Sequence, residues 1–378
     1  MNVADPVELL ANLVRIPSIN PRERAEPAET ELAENIALWA SERGMQAHTE
    51  EVLDGRRNVI VTLPGDDDRP LLLESHLDTV ETDGMTIDPF DPVVRDGRLY
   101  GRGACDAKAP LAVFLTAMAR LAERGPRPRT VVLAGVVDEE HLYRGVTALR
   151  ASGLPTPVGA IVGEPTELRM VVAHKGCMRC RIEAHGEGGH SSQPWDKTNA
   201  IEVAADVVRY LQREHAPRLA ALARPLVGPP SLAVTLIEGG QGPNVLPDSC
   251  VLTIDRRTVG GEDPHEVWAA LRAELTDRWP VTVHEPHIVD YSLDSDPADP
   301  FVCTVAGSLR ESGLDAAPLG VGYGTDASKI ALDGVPAVVF GPGSIACAHT
   351  ADESVPLDEV RTAVDVVERV LRTGGAPA

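Results

Sequence analysis

The sequence is poor in several things, and each shortage excludes something. Lys+Arg number only 35 against 57 Asp+Glu, a formal charge of −22. With so few cations there is no basic footprint for phosphates, so nucleic acid is not expected as a partner, nor is an anionic membrane surface. No apolar run approaches the roughly 20 residues that cross a bilayer. The start, Met1 to Pro6, has neither a basic nor an apolar leader segment, so no secretory signal is expected. The six cysteines, at 105, 177, 180, 250, 303 and 347, form no paired framework, which points to reduced thiols and a cytoplasmic location. Cys177 and Cys180 lie in a strand-like run with no second pair, unlike a zinc motif. Aromatics are scarce at 3 %, so a core must be built from Leu, Val, Ile and Ala. Only four basic residues are lysine: Lys108, Lys175, Lys197 and Lys329.

What is present is an ordinary globular apolar content, 43 % of 378 residues, enough for two domains or one large one. Asp5-Pro6-Val7-Glu8 reads as a capped helix start, and a second helix is expected over Ala28 to Gly44, with Leu32, Ile36, Leu38 and Trp39 as its apolar residues. Apolar runs over 58–63, 70–75, 130–137 and 158–163, with a helix from Ala107 to Glu123, predict an α/β sheet buried on both faces. After about Val172 the pattern changes. Strands over 171–184, 231–237, 249–255 and 281–289, with helices over 199–211 and 264–275, give the order β-α-β-β-α-β of a split ferredoxin-like unit. The α/β pattern resumes from about Asp294, with a helix over 301–312, a strand over 337–340 and a helix over 357–371. The expected division is therefore 1–174 with 292–378 as one domain and 175–291 as an inserted α+β unit, a usual domain size.

Polar residues cluster where strands end. The run to Leu73 leads into Glu74-Ser75-His76-Leu77-Asp78. Val131 to Val137 leads into Asp138-Glu139-Glu140, and Val158 to Val162 into Gly163-Glu164. Val338 to Phe340 leads into Gly341-Pro342-Gly343-Ser344, with His349 and Asp352-Glu353 soon after. Asp106 precedes a helix. Taken singly, His76 or His349 is an ordinary core or surface histidine, Asp106 a helix cap and Glu139-Glu140 a solvated pair. Together, at strand ends where α/β sheets bind ligands, they form a convergent set. Imidazole with carboxylate suits Zn, Mn or Co more than Ca or Mg.

The motifs resemble those of the M20 metallopeptidase and amidohydrolase family, the group of acetylornithine deacetylase, succinyl-diaminopimelate desuccinylase, aminoacylase and carboxypeptidase G. Matching segments run in family order: Ser75-His76-Leu77-Asp78-Thr79-Val80, Gly101 to Lys108, Asp138-Glu139-Glu140, Gly163-Glu164-Pro165-Thr166, Gly188-Gly189-His190-Ser191, Gly240 through Asn244 to Asp248, Gly324-Thr325-Asp326-Ala327, and Gly341 to Ser344 with Ala348-His349. The resemblance implies a zinc-aminopeptidase-like catalytic domain with an inserted lid and dimerisation domain. It implies two divalent ions, Zn²⁺ or Co²⁺ with Mn²⁺ as an alternative. His76, Asp106 and Glu164 would hold one, and Asp106, Glu140 and His349 the other. Asp78 would orient His76, and Glu139 would be the general base. Alternating side-chain directions at a strand end suit a base beside a ligand. His190 would stabilise an oxyanion in a neighbouring active site. Asn244 and Arg257, with Arg256 as an alternative, would contact substrate, Arg257 by a bidentate grip on a carboxylate. Gly324 and Thr325 would lie over it.

The implied activity is hydrolysis of an N-acyl amino acid, with an acetylornithine deacetylase-like reaction first. A succinyl-diaminopimelate desuccinylase, a small dipeptidase or a carboxypeptidase is the alternative, and from another class an inactive binding or scaffold relative. Partners would be the small-molecule N-acyl amino acid or dipeptide and a second copy of the chain. Two stretches depart from the family pattern. His141-Leu142-Tyr143-Arg144-Gly145 replaces a Gly-rich turn, and Ala109-Pro110 replaces a Gly-rich pair. Cys105 and Cys347, beside Asp106 and near His349, read as small filler residues or as thiols open to oxidation.

Overall fold

The computed structural model describes residues 5–22, 28–124 and 127–375; residues 1–4, read above for the lack of a leader, lie outside these. The chain divides into two compact units, Met1–Val172 with Ser295–Leu319 and Thr325–Ala378, and Ala173–Asp294 with Gly320–Gly324.

The first unit is built on a sheet of apolar runs. Six neighbouring strands of this nine-stranded sheet are, in spatial order, Gln46–Leu53, Arg56–Leu63, Val131–Val136, Leu71–His76, Gly159–Val162 and Ala337–Val339. The last four are mutually parallel, and the first two pair antiparallel at the edge. Every residue of Leu71–His76 and Val131–Val136 is buried, as both-face coverage by helices requires. The helix Lys108–Arg124 is buried on almost all sides and packs against the amphipathic helix Leu357–Thr373. Because the four central strands run the same way, His76, Asp138 to Glu140, Glu164 and the segment after Val339 all leave the sheet at one edge.

Several boundaries differ from expectation for identifiable reasons. The second helix is shorter, Thr30–Ser41, and its Leu38 is 61 % exposed, outside the core. The edge strand Gln46–Leu53 was not legible, because its residues are half-exposed and polar. A small sheet of Val93–Arg95, Arg98–Tyr100 and Ser354–Pro356 is also new.

The second unit is a five-stranded sheet. Ser231–Gly239, Ser249–Thr258, Gly176–His185 and Val281–Val283 lie in that order, with Ile288–Asp290 also paired to Gly176–His185, all antiparallel. This is the strand order of the split ferredoxin-like arrangement. The single strand expected over 171–184 is two, Val171–His174 and Gly176–His185. A side chain at Gly176 would meet the Asp290 carbonyl at 2.4 Å, so the break is placed where only glycine fits. The run 281–289 is likewise two strands. The helix Ala200–Tyr210 is capped by Asn199, whose side chain accepts from Ile201 N. Met178, Cys180, Ile182, Val207, Leu252 and Ile254 are among its core residues. No helix among the described residues is long and apolar enough to cross a membrane.

Candidate metal centre

His76 is the last residue of its strand and is buried. Its Nδ1 lies 2.9 Å from the Asp78 carbonyl, which assigns that nitrogen the proton and leaves Nε2 to face the carboxylates. Nε2 is 3.0 Å from Asp106 Oδ1 and 3.9 Å from Glu164 Oε1. On the other side of Asp106, Oδ2 is 3.2 Å from His349 Nε2, which is also 2.9 Å from Glu140 Oε1. The two Asp106 oxygens thus turn to different histidines. Ligand atoms of His76, Asp106 and Glu140 lie within 4.8 Å of one another, and so do those of His76, Glu139 and Glu164.

The carboxylate of Asp78 is not the nearest group to His76: its Oδ1 is 3.7 Å from Nδ1. It is occupied elsewhere, accepting from Glu139 N at 3.1 Å, Glu140 N at 3.0 Å and Asn20 Nδ2 at 2.7 Å. Glu139 and Glu140 sit in a turn after the strand, entered through Asp138 at φ 71°, a left-handed conformation that Asp tolerates better than most residues. The neighbours nevertheless belong to different ligand groups, Glu140 with Asp106 and Glu139 with Glu164.

The electrostatics follow from crowding. Burial pushes Glu139 and Glu164 well above the usual carboxylate range, and Glu140 upward. Hydrogen bonds to Asp106 and Glu140 raise His349 to about 10. Burial works to lower His76, but its hydrogen bond to Asp106 and the charge of Glu164 hold it well above its ordinary value. Burial likewise opposes the ionisation of Asp106, yet both histidines hold it ionised. In the bare protein, protons neutralise this excess of carboxylates. Divalent cations do the same without protons, and the mixed imidazole and carboxylate donors fit such ions. His76, Asp106, Glu139, Glu140 and Glu164 bring donor atoms close enough to hold an ion, and His349 Nε2 lies against Asp106 and Glu140.

Other expected residues lie in the second unit. Gly189–His190 pairs with Val245–Leu246, and Ser191 N donates to the Asn244 carbonyl, so His190 and Asn244 share one small ladder. Ser192 N donates to His190 Nδ1 at 3.2 Å, which leaves the ring proton on Nε2 in the neutral form. Arg256 is 2 % exposed and paired with Glu262 at 2.5 Å, whereas Arg257 is about one third exposed and held by Asp255 at 2.8 Å. Of the two, Arg257 is the accessible guanidinium. A side chain at Gly324 would strike the Asp290 carboxylate, at 1.8 Å. In the first unit, Thr325 is buried and its carbonyl accepts from Lys329 Nζ.

Sequence reasoning missed the polar groups behind the donors. Arg56, 2 % exposed, bridges Glu29 and Asp138, with 3.1 Å to Asp138 Oδ1. Asn20 joins Asp78 to Asp138. Arg144, in the stretch that departs from the family pattern and first residue of the helix Arg144–Ala151, donates to Asp138 Oδ2 at 2.5 Å. All six cysteines are free: Cys105 is buried, and Cys347 Sγ is 3.6 Å from an Arg98 nitrogen.

Imidazoles and carboxylates gathered at the carboxyl ends of parallel strands could hold metal ions, and the family and relatives make this a metal-dependent hydrolase of amide bonds. The chain belongs to peptidase family M20/M25/M40, whose model matches residues 72–373. It is 36 % identical over 311 residues to a curated acetylornithine deacetylase of Myxococcus xanthus, covering 80 % of this chain and 79 % of that one. Among solved structures, it is similar to a tripeptidase of Staphylococcus aureus (TM-score 0.79, 21 % identity, 99 % of each chain). It is also similar to a dinuclear metal-binding M20 peptidase of Bacillus subtilis (TM-score 0.72, 16 % identity, 97 % of this chain and 96 % of that one).

Proposed function

We propose that the protein is a two-metal deacylase that cleaves the amide bond of N-acyl amino acids, with N-acetylornithine its first substrate. The observation that carries the two-metal reading is the division of the Asp106 carboxylate, Oδ1 to His76 and Oδ2 to His349. On this reading His76, Asp106 and Glu164 hold one ion, Asp106, Glu140 and His349 the other, and the ions are Zn²⁺ or Co²⁺. When bound, such a pair polarises the scissile carbonyl and lowers the pKa of water.

The chain's own groups do the rest. Glu139 lies beside His76 and Glu164 and is not one of the five donors of this reading, and its surroundings raise its proton affinity. That suits a base that takes a proton from the attacking water and returns it to the leaving amine nitrogen. His190, with its proton on Nε2, supplies a donor for the oxyanion of a neighbouring active site. Arg257 grips the substrate α-carboxylate in bidentate fashion, Asn244 adds an amide contact, and the Gly324-Thr325 turn covers the substrate. The choice of acetylornithine is supported by the 36 % identical relative of that name.

The unit around 175–291 serves, on this reading, as lid and dimer contact in a homodimer. Among the described residues its edge strand Ser231–Gly239 pairs on one side only, with Leu236 and Ile237 nearly 60 % exposed, an edge of the kind that a second copy can cover. Six free thiols agree with a cytoplasmic setting.

The test is chelator-stripped enzyme reloaded with Zn²⁺ or Co²⁺ and offered N-acetyl, N-succinyl and N-formyl amino acids and dipeptides, read by free-amine release. Preference for N-acetylornithine is expected. Faster turnover of dipeptides moves the assignment to a peptidase. Ligand binding without product over hours, with both metals present, moves it to an inactive relative.

A further inference from the structure

Glu353 lies four residues after His349, and its carboxyl group is 1 % exposed. It accepts four hydrogen bonds. Oε2 accepts from Arg102 Nη1 at 2.8 Å and from Gly103 N at 3.0 Å, and Oε1 from Cys105 N at 2.8 Å and Asp106 N at 3.0 Å. The Glu353 carbonyl also accepts from Gly101 N at 3.1 Å. The loop that presents Asp106 is thus wrapped around one side chain from the segment that presents His349. Beyond Glu353 the two segments stay joined, since Ser354–Pro356 pairs antiparallel with Arg98–Tyr100.

Three buried amides converging on one point form an anion-binding concavity. Without an acceptor each would cost the desolvation of a lost hydrogen bond. The chain supplies that acceptor itself, and the left-handed Gly103, φ 78°, lets the backbone curl around it.

We propose that Glu353 is a positioning residue that sets the Asp106 loop before any metal arrives and so fixes Asp106 relative to His349. The inference rests on the reading of Asp106 and His349 as metal donors. Glu353 has both carboxylate oxygens taken by Arg102 and the backbone of Gly103, Cys105 and Asp106. It acts through the backbone of Asp106, and the ion that Asp106 and His349 share depends on it most. A glutamine in its place keeps the size but offers one oxygen and one NH₂, so only one of the two donor pairs keeps its acceptor.

The experiment titrates Co²⁺ into chelator-stripped protein. The parent is expected to bind two equivalents. E353Q is expected to bind one slightly and the other about 10- to 100-fold more weakly than the parent, with a changed visible spectrum. R102M removes the charged partner but leaves the three amide contacts, and is expected to bind both equivalents normally. Parental affinity and spectrum in E353Q overturn the proposal. So does equal weakening in R102M, which would assign the effect to charge alone. Hydrogen exchange on the unaltered metal-free protein gives an independent answer should E353Q fail to fold. Slow exchange at Gly103, Cys105 and Asp106 before metal is added supports a preset loop, and fast exchange that slows only with metal overturns it. A parent that never binds two equivalents counts against the two-metal reading, while the exchange result still decides the role of Glu353.

Discussion

Asn20 Nδ2 donates to Asp78 Oδ2 at 2.7 Å, across 58 positions of sequence. The same amide reaches Asp138 Oδ1 at 3.2 Å. Asp78 therefore serves the centre by two routes. Its carbonyl accepts a hydrogen bond from His76 Nδ1–H, and its carboxylate, steadied by Asn20, holds the backbone of Glu139 and Glu140. Asn20→Ala is expected to lower kcat about 10- to 100-fold, as lost outer-shell partners do, with KM little changed. Steady-state kinetics check this, and parental kcat would dismiss the role.

Arg56 is the cation between two buried acids, Glu29 and Asp138. Arg56→Ala leaves both without it and is expected to cost about 3–5 kcal/mol of folding free energy. Arg56→Lys should recover only part, because a point charge cannot reproduce a forked contact. Urea unfolding of the metal-free proteins measures both.

Burial raises Glu29 to about 7, against the pull of Arg56. A carboxyl whose folded pKa exceeds its unfolded value, 4.5, holds a proton in the folded state that the unfolded chain has released. Its contribution to stability is thus full below about 4.5 and is lost as pH rises towards 7. The slope for one proton is at most about 1.4 kcal/mol per pH unit. Glu29→Gln is expected to remove this slope, so that the parent's stability relative to the variant declines between pH 5 and 7. A constant difference across that range would refute the shift.

Chelation is expected to abolish turnover, and Zn²⁺ or Co²⁺ to restore it. Glu139→Gln is expected to retain its metals by elemental analysis while losing about 10²- to 10⁴-fold in kcat, the usual contribution of a positioned proton carrier. Normal turnover in that variant would remove Glu139 from the mechanism.

The central strands were legible because Leu71-Leu72-Leu73 and Val131-Val132-Leu133 are apolar without alternation, the signature of burial on both faces. The edge strand Gln46–Leu53 was not, since Gln46, His48, Glu50 and Glu51 carry no such pattern. The helix Arg144–Ala151 was hidden by its start. Tyr143 holds the left-handed conformation, φ 58°, and provides no side-chain cap. The gathered histidines and acids could be named from strand ends and motif order. Their supports could not. Arg56 finds Asp138 over 82 positions, and Glu353 finds Asp106 over 247; such pairings leave no local periodicity to read. The Asp78 carboxylate shows the same limit, because its partners follow from the folded turn and not from its neighbours in sequence.

The order of the donors along the chain has a consequence for synthesis. His76, Asp106, Glu140 and Glu164 all precede the second unit, and His349 follows it. The chain emerges from its N-terminus, so a nascent polypeptide owns four of the five proposed donors long before the fifth. On the proposed donor assignment, hydrolysis then reports completeness: a ribosomal product broken off within the second unit lacks His349 and is expected to be chemically silent.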